Sequence, residues 1–142
     1  MKILVGVDGS EASEKAVEWC AQYAPKLGAE VVVVHAIDIP VYAAPGVGYL
    51  PLPALSDDDR AQLTDTVRTV WCAALSSAGV KYRVEIVDGP PATVLIQAAR
   101  AEDAALVVTG RRGRGGFAEL LLGSTSHQLS HHLERPLVIV PD

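Results

Sequence analysis

The sequence predicts a single-domain α/β protein built on an open five-stranded parallel sheet, and three observations carry that expectation. The chain has 142 residues, enough for one domain with a substantial core. Short aliphatic runs recur along it, apolar on both faces, as suits strands covered by helices on both sides. Stretches of helical periodicity separate these runs, and strand–helix alternation implies parallel crossovers. Hydrophobic residues make up 49% of the chain and aromatics only 5%, so the core must be aliphatic.

The first strand is "KILVGVD", Lys2 to Asp8, stopped by Gly9. "SEASEKAVEWCAQYAPKLG" follows with Ala16, Cys20, Ala24 and Leu27 at helical spacing, and Trp19 with Tyr23 likewise. Ser10 is the expected N-cap, with Glu11 in the first turn. Pro25 removes an amide donor from the last turn, and Gly28 ends the helix. "EVVVVHAID" is the second buried strand. "IPVYAAPGVGYLPLPAL", residues 39–55, shows neither period and reads as the one long loop, of a length often found in lids or binding segments.

"SDDDRAQLTDTVRTVWCAALSSAG" is the clearest helix. Ser56 with Asp59 resembles a capping box, three aspartates favour the helix start, and Gly79 terminates it. Its expected core stripe is Leu63, Val67, Val70, Trp71, Ala74 and Ala78. "KYRVEIVDG" alternates polar and apolar residues and reads as a half-exposed edge strand. "PPATVLIQAARAED" opens with prolines, which helix starts tolerate. "AALVVTG" is a fully apolar strand, "STSHQLSHHLE" a short helix, and "PLVIVPD" a final apolar strand. The expected sheet order is 3-2-1-4-5, with helices on both faces. The fifth strand lies at an edge although it is too apolar for a solvated one.

Composition excludes several function classes. A net charge of −5 argues against general nucleic-acid affinity, which needs excess Lys and Arg. No 18-residue apolar run exists, so no membrane span is expected. The "MKILVGVDGS" start does not resemble a signal peptide. Cys20 and Cys72 lie inside helix patterns without ligand-like spacing and read as reduced core residues of a cytoplasmic protein.

Open parallel sheets bind ligands beyond the carboxyl ends of their strands, where the winding direction reverses. Here that point falls between the first and fourth strands. The first ends at Val7 and Asp8; the fourth ends at Thr109 and Gly110. From there runs "GRRGRGGFAELLLGST", dense in glycine and arginine. Gly110 and Gly113 would let backbone amides approach a bound group. Gly123, Ser124 and Thr125 open a helix whose free N–H groups and hydroxyls suit an anion. Asp8 repels phosphate unless a cation intervenes, so it fits ribose hydroxyls or Mg²⁺. Arg111, Arg112 and Arg114 add positive charge, and individually they read as solvated charges rather than specific contacts. A P-loop is absent, because no lysine precedes Ser124, and so is the Rossmann glycine pattern. The pattern present is G-x2-G-x9-G-[ST], at Gly110, Gly113, Gly123 and Ser124.

That pattern resembles the ATP-binding branch of the universal stress protein family, and the likeness covers essentially all of residues 1–142. "ILVGVDGSEASEKAV", "VVVVHAID", "GRRGRGGFAELLLGSTS" and "RPLVIVP" resemble the family's opening, second-strand and closing segments. The resemblance implies that Asp8 contacts ribose or metal-bridged phosphate, and that backbone near Val7 and Ala36 receives adenine. It implies that Thr109, Gly110 and Gly113, with Gly123, Ser124, Thr125 and Ser126, hold ribose and phosphates. It also implies a homodimer joined through the fifth strands. The expected function is a cytoplasmic, ATP-binding stress sensor or regulator with an unknown protein partner. The alternatives are a slow ATP hydrolase, a site tuned to AMP or a cyclic nucleotide, and a ligand-free interaction protein. No water-activating residue beyond Asp8 stands out, and Ser124 has no nearby general base, so catalysis is at most slow.

The remaining candidates have plainer explanations. His127 and His131 stand four apart, a metal-holding spacing, but no third ligand is evident. His35 reads as a satisfied core histidine. Tyr42 and Tyr49 are either a lid over adenine or loop anchors.

Overall fold

In the computed structural model, residues 1–38, 41–51, 55–113 and 122–142 are described, with backbone only at 41–44, 50 and 51. Strands β1 (Lys2–Gly6), β2 (Glu30–Ile37), β5 (Tyr82–Asp88), β6 (Leu106–Gly110) and β7 (Leu137–Val140) form one parallel sheet, in the order β5-β2-β1-β6-β7. This is the expected 3-2-1-4-5 order among the sheet strands. The two further strands, β3 (Val41–Ala44) and β4 (Gly48–Pro51), pair antiparallel as a hairpin within the segment expected to be one long loop. Four-residue strands are too short to show alternation. Gly46 and Gly48, with φ of 80° and 94°, supply the turn conformation that side-chain-bearing residues resist.

Strand alternation divides the core into two layers. Ile3, Val5, Val31, Val33 and Val108 face α1 (Glu11–Leu27) and α3 (Ala73–Ser77). Leu4, Val32, Val34 and Val107 face α4 (Pro91–Ala101) and α5 (Ser124–His132). Helix α1 starts as expected: Ser10 Oγ accepts from Ser13 N–H, and Gly28 closes the helix at φ 64°. The helix continues through Pro25, and Leu27, expected in its stripe, is 42% exposed. Burial pushes the Cys20 thiol up to about 12 and, with a smaller opposing effect of Arg68, the Cys72 thiol to about 11.

The helix expected over 56–78 is not continuous. Helix α2 (Asp57–Thr66) begins with the predicted Ser56–Asp59 capping box. It then widens into a π-turn at Val67–Trp71, where Cys72 N–H donates to Val67 C=O at 2.9 Å, and continues as α3. The extra residue shifts the phase of everything after it. Cys72 and Leu75 are therefore fully buried, whereas Val70 is 64% exposed and Ala78 is also exposed.

At the sheet edges, β5 has the expected mixed character. Arg83 pairs with Glu85 and with Glu102, and Lys2 reaches Glu102 at 2.9 Å. β7 forms the other edge, with all four residues half-buried.

Candidate functional site

β2 runs past the end of β1, and this difference in length shapes a cleft. Val7 N–H donates to Val34 C=O at 3.0 Å, the last ladder bond between these segments. In a parallel strand, backbone polar groups point alternately to either side. The amide and carbonyl of Ala36 therefore aim to the same side as those of Val34, beyond β1. Among the described residues no backbone hydrogen bond engages them there. His35 turns the other way round the chain: its Nδ1 lies 2.7 Å from Val7 O and donates to it, and its ring meets Trp71 edge-on. The expectation of a satisfied histidine holds.

The cleft between β1 and β6 encloses about 540 Å³ of open space, including solvent at its mouth. Its apolar floor is built by Val34, Ala36, Pro91 and Leu95; its polar wall includes Asp8, Thr125 and Arg112. Pro91 and Leu95, on α4, carried no sequence signal of a site. Gly6 is the nearest clue, since a Cβ there would lie 2.8 Å from Leu95 Cδ1.

Asp8 is fixed by its own turn. Its Oδ1 accepts from Ser10 N–H at 2.9 Å, and its N–H donates to Ser13 Oγ at 3.4 Å. Its other carboxylate oxygen faces Gly113, where an added Cβ would stand 2.6 Å away. The chain then returns: Gly123 N–H donates to Arg111 C=O at 2.8 Å, and among the described residues no side chain caps the start of α5. The N–H groups of its first turn adjoin Gly113, whose N lies 3.3 Å from a Cβ placed on Gly123.

Nine of the ten expected residues line the cleft: Val7, Asp8, Ala36, Thr109, Gly110, Gly113, Gly123, Thr125 and Ser126. Ser124 does not; it is exposed, and its Oγ accepts from Gln128 Nε2 at 3.1 Å. The glycines have structural duties that the sequence did not suggest. A Cβ on Gly110 would stand 2.4 Å from the Ala12 carbonyl oxygen, so this glycine lets α1 pack on β6. None of Gly110, Gly113 and Gly123 has a left-handed φ. Ser126 is buried and donates from Oγ to Gly110 C=O at 2.7 Å.

The arginines are not simply solvated charges. Arg112 hydrogen-bonds the Asp142 carboxylate, and Arg111 lies 3.5 Å from it. Arg114 and the side chain of Tyr42 lie outside the described residues, while Tyr49 is 78% exposed. The His127 and His131 rings sit edge-on, 4.7 Å apart, and among the described residues no group of three or more potential metal ligands occurs.

Fold and cleft thus define an α/β protein with a crevice at the reversal point of its sheet. Comparison places it further: the profile of the universal stress protein family matches residues 1–141, and the chain belongs to that family. A universal stress protein of Mycolicibacterium smegmatis is 34% identical over 97% of this chain. The chain spans only 47% of that relative's length, about half. The universal stress protein YxiE of Bacillus subtilis is 28% identical, with 98% of this chain and 97% of that protein covered. Among solved structures, UspA from Lactobacillus plantarum superposes with a TM-score of 0.80 at 23% identity, covering 99% of this chain and 97% of that one. A universal stress protein in complex with cAMP superposes with a TM-score of 0.73 at 25% identity, covering 99% and 96%. Among the described residues no helix is long and apolar enough to cross a membrane.

Proposed function

We propose that this protein binds ATP in the cleft between β1 and β6 and acts as a cytoplasmic stress-linked sensor or regulator. The supporting observation is the sequence of chemical environments along one crevice. An apolar floor with the backbone of Ala36 at its rim suits a flat heterocycle that both donates and accepts hydrogen bonds. The Asp8 carboxylate beyond it suits ribose hydroxyls or a nucleotide-bound Mg²⁺. The N–H groups at the start of α5 suit phosphates. One carboxylate with phosphate co-ligands is an ordinary Mg²⁺ arrangement, so these residues fit the ion; it would neutralise charge between Asp8 and the phosphates.

The chain's own groups bind and orient rather than react. Asp8 is held by Ser10 N–H, and Ser126 Oγ is committed to Gly110 C=O, so neither is placed as a free base by its contacts. Turnover is accordingly expected well below the ordinary enzyme median of about 10 per second. β7, apolar and at an edge, is the surface proposed for a homodimer. The regulated protein is a further, unspecified partner.

A cyclic nucleotide is the second reading, supported by the cAMP complex of the relative 25% identical to this chain. Mass spectrometry of ligand released from protein purified without added nucleotide, followed by calorimetric titration with ATP, AMP and cAMP, tests both. ATP released and bound most tightly supports the first reading. Preference for cAMP supports the second, and no binding of any of the three removes both.

A further inference from the structure

Arg111 and Arg112 leave β6 at the cleft and converge on a single carboxylate. Arg112 Nη2 hydrogen-bonds Asp142 Oδ2, and Arg111 Nη2 stands 3.5 Å from the same oxygen. The backbone holds these segments in place, because Arg111 N–H donates to Val140 C=O at 2.9 Å, two residues before Asp142. Arg112 also lines the cleft, and its Cα lies 3.1 Å from a Cβ placed on Gly123, the residue before α5. An anion belonging to the chain itself therefore sits on an arginine that lines the cleft.

We propose that Asp142 is a built-in competitor for phosphate: it engages the Arg111–Arg112 pair in the absence of nucleotide and so sets how strongly the site favours long phosphate chains. The proposal rests on the nucleotide reading above. Guanidinium offers carboxylate and phosphate the same forked donors, so one anion can replace the other without rebuilding the site. Replacing the Asp142 carboxylate by a neutral group adds one net positive charge beside the pair. The two arginines already hold the Asp142 carboxyl below its ordinary range, Arg112 more than Arg111, so the competitor stays charged at neutral pH. The effect discriminates by ligand class: a triphosphate must share or displace the carboxylate, whereas a nucleoside does not meet it.

The test is calorimetric titration of wild type, Asp142→Asn, Arg111→Gln/Arg112→Gln, and the triple variant with ATP and with adenosine. Asp142→Asn should tighten ATP about two- to fivefold at low salt, the range of a partly exposed ion pair, and leave adenosine unchanged. In the arginine-free background the same substitution should give no gain, because the coupling runs through the pair. If both ligands bind but the gain is absent, or persists without the arginines, the competitor role is overturned while the nucleotide reading stands. If neither ligand binds any variant, the nucleotide reading has failed and the competitor role falls with it.

Discussion

Gly113 separates a packing role from a binding role, and a single added methyl group tests it. A Cβ there would stand 2.6 Å from Asp8 Oδ2, closer than real contacts allow. The carboxylate must swing away, although Ser10 N–H holds its other oxygen at 2.9 Å. Gly113→Ala therefore breaks a charge-assisted hydrogen bond and moves the carboxylate from the cleft. One such interaction with the ligand, about 1.5–3 kcal/mol, corresponds to a loss of about 10- to 150-fold in ATP affinity. Gly110→Ala has the opposite profile. Its Cβ meets the Ala12 backbone oxygen at 2.4 Å, and backbone cannot rotate aside. That overpacking should cost about 1–3 kcal/mol of stability, or roughly 3–12 °C in Tm. Calorimetric titration with ATP, with and without Mg²⁺, and thermal unfolding measure the two effects on the same proteins. Because Gly113 acts through Asp8, Gly113→Ala combined with Asp8→Ala should bind no more weakly than Asp8→Ala alone. A folded Gly113→Ala protein that binds ATP like wild type would refute the reasoning.

Val138→Lys or Ile139→Lys should convert a β7-linked dimer to monomer in sedimentation, and a wild type already monomeric at micromolar concentration would remove the dimer. Glu102 is held down to about 2 by Arg83 first and Lys2 second. Its depressed value contributes stability above the unfolded range, near 4.5, that is lost as pH falls toward about 2. Arg83 is 46% exposed, so Glu102→Gln should cost only about 0.2–1 kcal/mol at pH 7, with the difference from wild type vanishing across that acid window in urea titrations. Cys20 and Cys72 should resist a thiol reagent in the folded protein and react promptly in denaturant, because burial raises both thiols. Fast labelling under native conditions would contradict their burial.

The sheet order was readable because continuous aliphatic runs and alternating helical segments leave few parallel topologies. The cleft followed from that order: Val7 and Thr109 had to end neighbouring strands. The hidden parts depend on spatial neighbours distant in sequence. Nothing near Gly110 announces that Ala12 packs against it, or that Ser126 donates to its carbonyl. Ser124 fits the motif yet faces solvent, because α5 turns its first residue outward and its third inward. Arg111 and Arg112 looked like solvated charges because their partner, Asp142, is separated from them by α5 and β7. The hairpin at 41–51 escaped notice because its pairing residues are few and interleaved with proline and glycine.

The π-turn gives the helical stretch from Asp57 to Ser77 one residue more than its inward pattern needs. Take out Val70, and Leu63, Val67, Cys72 and Leu75 fall four, four and three apart, an uninterrupted α-helical spacing. Since Val70 is 64% exposed, its deletion should be tolerated by the fold, unlike most losses of a residue inside a helix. What stays is aim. Trp71 directly precedes Cys72, so with Cys72 and Leu75 in register it still meets the His35 ring, 5.1 Å away. His35 in turn holds Val7 O at the rim of the cleft. The surplus residue is thus dispensable to architecture and to the bearing of the aromatic side chain beside the site, so chain length at this turn can vary on its exposed side without altering the core or the cleft wall.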